Sequence, residues 1–248
     1  MNSILFVVLI TSIVSASDCE IVQDMVRKVH ILPLLKVANI AKKCCTATGV
    51  QCKNNRVTSI TFRQPDNYVS TDPTISDLIA GLDQLESLSL EGFGIPGEIS
   101  PSLGCLKKLT RLSLARNNFS GPVPDTFRDL KDLQELDLSS NKLSGNLSPL
   151  LTGMASLQML KLGDNKLSGP IPSLQISTTC DLHNNDALCL DKSLSNGLSS
   201  ICGAFPRCDE KPVINFNEDG KTSTSNGMKL IVFPFCLIFT LIVFISIN

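Results

Sequence analysis

Leu82, Leu106, Leu130 and Met154 stand 24 residues apart, and each opens the same pattern. From Leu106 the chain reads LKKLTRLSLARNNFSGPVPDTFRD, from Leu130 LKDLQELDLSSNKLSGNLSPLLTG, and from Met154 MASLQMLKLGDNKLSGPIPSLQ. The copy from Leu82, LDQLESLSLEGFGIPGEISPSLGC, keeps the leucines but carries Phe93 where the others carry Asn117, Asn141 and Asn165. A unit this short does not bury its own apolar edge. Copies must therefore stack, the core runs continuously through the stack, and each open end needs a cap.

A fixed period in the 20–29 range with leucine at set offsets is the signature of leucine-rich repeats. In L-x-x-L-x-L, Leu112 and Leu114, or Leu136 and Leu138, point inward from a short strand while the alternate residues face solvent. The asparagine that follows offers an amide to backbone at the turn, and stacked copies form a ladder that satisfies groups otherwise buried unpaired. Val57, Ile60 and Phe62 hold the same offsets and read as a first strand, followed by a longer connection from Asp66 to Gly81. Asn185 lies 20 residues after Asn165, which puts Cys180 and Leu182 in the leucine slots of a shortened last repeat. The expectation is a short α/β repeat solenoid of five to six strands.

The two ends give an address. Ile4 to Val14 is an uncharged apolar run followed by Ser15, Ala16 and Ser17, the build of a secretory signal peptide over residues 1–16 cut before Ser17. Leu230 to Ile247 carries no charge and at about 1.5 Å per residue reaches across a hydrocarbon core. A polar stretch over 211–227 precedes it, with the small residues Gly220, Ser223, Ser225 and Asn226 as candidate lipid-attachment sites. Small residues, polar spacer and apolar tail (228–248) form the pattern of a GPI-attachment signal; a single-pass helix is the alternative. Both readings place the domain at the outer face of the plasma membrane.

Secretion makes the ten cysteines meaningful. Cys19, Cys44, Cys45 and Cys52 precede the first strand, and Cys180, Cys189, Cys202 and Cys208 follow the last full repeat. Each group of four allows three pairings. Their placement argues for disulfide caps over the two ends of the core: an N-terminal helical, Cys-rich cap over 17–56, repeats over 57–188, and a C-terminal Cys-rich cap over 189–210. Metal binding is disfavoured by the absence of C-x2-C spacing. Cys105 falls near a surface turn and reads as an idle thiol, with an intermolecular link as the alternative.

The segment CCTATGVQCKNNRVTSITF from Cys44, together with repeats ending GPVP (121–124) and GPIP (169–172), resembles the plant-type extracellular leucine-rich-repeat class. Receptor-like proteins, receptor-kinase ectodomains and polygalacturonase inhibitors belong to that class. The resemblance covers about Asp18 to Cys208. It implies a right-handed superhelix or horseshoe with a ligand-binding inner surface. The chain departs from the class in three ways: it has no tryptophan in the cap motif, GEIS (97–100) and GNLS (145–148) are decayed copies of G-x-I-P, and the array is short.

Strand positions facing solvent form one sheet face, and the candidate partner-binding residues on it are Arg63, Glu86, Arg111, Ser113, Arg116, Gln134, Glu135, Asp137, Gln158, Lys161, Asp164 and His183. The face is mixed in charge and nearly free of aromatics, so the usual Trp or Tyr anchors are missing. Two sequons, at Asn118 and Asn146, are candidate glycosylation sites expected on turns outside the strands.

With 22 Lys+Arg against 23 Asp+Glu, the net charge of −1 gives no electrostatic case for nucleic acid. The chain lacks a Gly-rich phosphate loop, G-x-S-x-G and H-E-x-x-H, and its only two histidines make His-based catalysis unpromising. No cofactor or catalytic residue is expected. The sequence predicts a cell-surface recognition module for a protein, peptide or glycan, in a receptor-like, co-receptor or adhesion role and working with a membrane receptor partner. The alternative is a secreted or wall-associated inhibitor of a polysaccharide-degrading enzyme.

Overall fold

Strand residues spaced 24 apart pair side by side in register. The computed structural model of the chain describes residues 17–28, 40–63, 72, 75–147, 154–171, 179–190, 202, 205, 206 and 208. The signal-peptide segment, the polar stretch with Gly220, Ser223, Ser225 and Asn226, and the apolar tail lie outside the described residues. Among the described residues, no helix is long and apolar enough to cross a membrane.

Six parallel strands, β2 (Arg56–Arg63), β3 (Ser87–Glu91), β5 (Arg111–Ser113), β7 (Glu135–Asp137), β9 (Met159–Lys161) and β11 (Thr179–Asp181), form a sheet in that order. A seventh, β1 (Val50–Lys53), pairs antiparallel with β2 and belongs to the N-terminal cap. The leucines alternate inward as the period-2 geometry of a strand requires. Leu112 and Leu114 are 1% exposed, and Leu136 and Leu138 are fully buried.

A second, five-stranded sheet was not legible in the sequence. It comprises β4 (Pro96–Glu98), β6 (Asn118–Pro122), β8 (Lys142–Asn146), β10 (Lys166–Ile171) and β12 (Ala187–Leu190), all parallel where paired. Gly97, Gly121, Gly145 and Gly169 recur in it at φ between 75° and 87°. That conformation suits glycine, which explains why the glycine survives even in the decayed copies. The core between the two sheets includes Phe93, Phe119 and Phe127.

The asparagine ladder closes the turn between the sheets. Asn117, Asn141, Asn165 and Asn185 accept from the backbone N–H of Ile95, Phe119, Leu143 and Leu167 at 2.9–3.1 Å. Their amide nitrogens donate both to their own turn and to the preceding repeat, as Asn165 does to Leu162 and Leu138. Each side chain thus staples two repeats, and the Leu114, Leu138 and Leu162 carbonyls each accept from two successive asparagines. Phe93 replaces this polar link with apolar packing in the first repeat, at 0% exposure.

Both ends are capped. Helix α1 (Asp18–Lys28) buries Val22, Met25 and Val26 at helical spacing. Its start is a capping box: the Ser17 N–H donates to Glu20 Oε2 at 2.7 Å, and the Glu20 N–H donates to Ser17 Oγ. Buried Asp18 accepts from the Val57 N–H at 2.7 Å and from Arg56 Nε, tying the cap to the first strand. Two short helices, α2 (Ile40–Lys43) and α3 (Ile75–Ile79), complete this end.

The pairings are Cys19–Cys44 and Cys45–Cys52 at the N-terminal end, and Cys180–Cys202 and Cys189–Cys208 at the C-terminal end. The sulfurs of Cys19, Cys44 and Cys45 lie within 4.8 Å of one another because two disulfides sit side by side. Cys105 is also disulfide-bonded, contrary to the idle thiol expected.

Candidate functional site

Register turns the outer face of the large sheet into a grid. Thr61, Ser89, Ser113, Asp137, Lys161 and Asp181 form one row across six strands. Two residues further along each strand lies the row Arg63, Glu91, Ala115, Ser139, Gly163 and His183. The next position holds Gly92, Arg116, Ser140, Asp164 and Asn184. All five are left-handed, the four non-glycine residues at φ of 52–57°, an uncommon conformation for residues with a side chain. Each turns the chain out of its strand just before the buried core or asparagine position, and the N–H groups of Gly92, Arg116, Ser140 and Asp164 donate to the neighbouring repeat, as Arg116 does to the Ser139 carbonyl.

These rows enclose a groove of about 790 Å³ that crosses the strands from Arg63 to His183. Of the face residues expected from the sequence, Arg63, Arg116, Asp137, Lys161, Asp164 and His183 are brought together here. Arg111, Ser113 and Glu135 line a shallower depression of about 250 Å³ beside it, which also touches Asp137 and Lys161. Glu86, Gln134 and Gln158 are exposed before the strands and line neither. The alternation of the strands also turns Glu91, Ser139 and Asp181 to this face, whereas sequence reasoning did not place Ala115 or Ser140 there. The signal was present: the position two before the asparagine is small in three successive repeats.

Ion pairs run between strands. Arg111 Nε meets Glu135 Oε1 at 3.0 Å, and Lys161 Nζ stands 3.9 Å from Asp137. Glu91 accepts from the Ser113 hydroxyl at 3.0 Å. At the last repeat, His183 Nδ1 bonds Asp181 and Nε2 stands 3.3 Å from Asp164. The Asp181 hydrogen bond foremost, with the charges of both carboxylates, raises the imidazole above its usual value near 6.5. Asp164 is held below its ordinary value of 3.8, first by the Asn184 amide at 2.6 Å. Cys180, adjacent to this pair in sequence, is buried in a disulfide on the opposite side of the strand.

The sequons differ from expectation: Asn118 opens β6 and Asn146 ends β8, so both lie on the five-stranded sheet, away from the groove.

A leucine-rich-repeat family model matches residues 106–167. The chain is similar to the ectodomain of the receptor kinase SOBIR1 from Arabidopsis thaliana, at 31% identity and TM-score 0.56, covering 69% of this chain and 94% of that one. The chain belongs to the plant-type extracellular leucine-rich-repeat proteins. It is also similar to a chain of the Arabidopsis thaliana BIR3–SERK2 complex, at 27% identity and TM-score 0.58, covering 76% of this chain and 97% of the other. A third likeness is to the PEPR1–AtPEP1 structure, at 26% identity and TM-score 0.52 over 70% of this chain but only 27% of the larger one. No curated protein sequence matches. Members of this class share an extracellular fold built for recognition, and the groove lies on the face that the stacking of this leucine-rich-repeat chain leaves open.

Proposed function

We propose that this protein is a cell-surface recognition module that binds a protein or peptide partner across its seven-stranded face, in a receptor-like or co-receptor role. The observation that carries this reading is the groove from Arg63 to His183, polar, charged and continuous over six strands. Complexes formed by similar ectodomains, BIR3 with SERK2 and PEPR1 with AtPEP1, support a protein or peptide as the partner class. Glycans on Asn118 and Asn146 would cover the five-stranded sheet and leave this face open. Residues 211–227 serve as a polar stalk, and 228–248 as the signal removed when a GPI anchor is joined at one of Gly220, Ser223, Ser225 or Asn226.

The test is site-specific photo-crosslinking on the full chain at the surface of plant cells. A benzoylphenylalanine at Ser139, in the groove, should give partner adducts that the same group at Ser144, on the five-stranded sheet, does not. Adducts from Ser144 alone would overturn the reading. Treatment with phosphatidylinositol-specific phospholipase C should release the protein; retention together with the C-terminal peptide would replace the anchor with a single-pass helix. Free secretion without treatment would favour the enzyme-inhibitor alternative.

A further inference from the structure

We propose that the groove is a bipolar trough for an extended peptide segment of about seven residues, acidic over Arg63 and Arg116 and basic over Asp164 and Asp181. This rests on the recognition reading above and specifies its ligand.

The floor comes first. Between its charged ends the row has Ala115 and Ser139, so the two middle strands carry no large side chain there, while at Gly163 the His183 ring lies over the backbone. Ala115 is 5% exposed. Five strand steps of about 4.8 Å separate β2 from β11, giving a run of about 24 Å, which an extended chain at about 3.3 Å per residue fills with about seven residues. The hydroxyls of Ser139 and Ser140 donate to Asp137 and Asp164, and their oxygens remain able to accept from a peptide N–H.

The ends differ in charge. At the first repeats, Arg63 and Arg116 stand against one carboxylate, Glu91, which already accepts from Ser113. Neither guanidinium has an ion pair among the described residues, and a surplus positive charge remains. At the last repeats, Asp137, Asp164 and Asp181 stand against Lys161 and His183. Three carboxylates against two bases leave this end negative even with the imidazole protonated. A ligand of uniform charge would be repelled at one end. One with opposite charges about 24 Å apart is matched at both, and that complementarity selects orientation more than affinity. The groove lining contains no Phe, Tyr or Trp ring to stack against a sugar, which favours a peptide over a glycan.

The experiment uses the full chain on the surface of eukaryotic cells and three fluorescein-labelled heptapeptides capped at both termini. Two have paired Asp and paired Lys at opposite ends of a Gly-Ser-Gly centre, in either direction; the third has the same composition with charges alternating. One bipolar peptide should bind about tenfold more tightly than the alternating peptide, a preference that falls as salt rises. The double variant Arg116→Glu with Asp164→Lys exchanges the ends and should transfer the preference to the oppositely directed peptide. Surface staining reports that the variant is expressed, and both positions are exposed. Equal binding of all three peptides, binding of none, or an unchanged preference in the double variant would overturn the proposal. If partner adducts from Ser139 persist in such a case, only the bipolar ligand falls; if they are absent too, the recognition reading falls with it.

Discussion

The imidazole of His183 lies over Gly163, where a Cβ would come within 2.6 Å of its Nδ1 and Cε1. The missing side chain in one repeat makes room for the ring of the next. That seat holds the ring against Asp181 on one side and Asp164 on the other.

Replacing Gly163 by alanine should displace this ring rather than the backbone, because the clashing atoms are at the end of a rotatable side chain. The imidazole then loses its carboxylate partners, and its pKa should fall back toward 6.5. An NMR titration of the His183 ring in Gly163→Ala against the parent protein measures this. An unshifted midpoint would show that the seat is unimportant.

The same cluster sets a pH window for stability. The folded pKa of His183 is raised, so its contribution is full below the unfolded value of 6.5 and is lost as pH rises through the folded value. Asp164 is lowered, so its contribution is full above 3.8 and is lost as pH falls through its folded value. The His183→Gln variant should therefore be most destabilised relative to the parent between about pH 4 and 6.5, with the difference shrinking above. Thermal melts of both proteins across pH 3 to 9 give the comparison. The effect is small, since the pair is exposed and screened.

Asn165→Ala removes an acceptor for the Leu143 N–H and donors to the Leu138 and Leu162 carbonyls, all in buried surroundings. The two carbonyls keep donors from Asn141 and Asn185, so the Leu143 N–H alone is left unpaired, and a loss of about 1–3 kcal/mol is expected. Asn165→Asp, which keeps the acceptor but not the donors, should not restore it. Chemical denaturation of the two variants decides.

The two caps should differ in sensitivity to reduction of single bonds. Cys180–Cys202 closes a separation of 22 residues and Cys45–Cys52 one of only 7. Loop-closure entropy gives about 3 kcal/mol for the first and about 2 kcal/mol for the second. Paired Cys→Ala variants, compared by urea unfolding, should show the C-terminal loss to be the larger. Cys180 also fills a leucine slot in the core, at 7% exposure, which adds to its cost.

Much of the fold was legible because the 24-residue period names inward positions directly. Leu88, Leu112, Leu136 and Leu160 occupy one register column, and a strand's period of two then fixes which neighbours face out. The five-stranded sheet was hidden for the opposite reason. Segments such as Asn118–Pro122 hold glycine and proline, residues poor in strands, and become strands only because a stacked copy offers its backbone. The sequons therefore seemed to lie on turns.

Sequence by itself determined that the chain stacks, where its strands fall, which side chains face outward, and that cysteines guard both ends. These follow from periodicity, a property of the chain taken one residue after another. Only the tertiary structure decided that Arg63 and His183, five strand steps apart, close opposite ends of one groove, that Cys19 bonds Cys44 rather than its neighbour Cys45, and that His183 rests on Gly163. Those outcomes depend on distances between residues 20 to 120 positions apart, which stacking sets and no local pattern encodes.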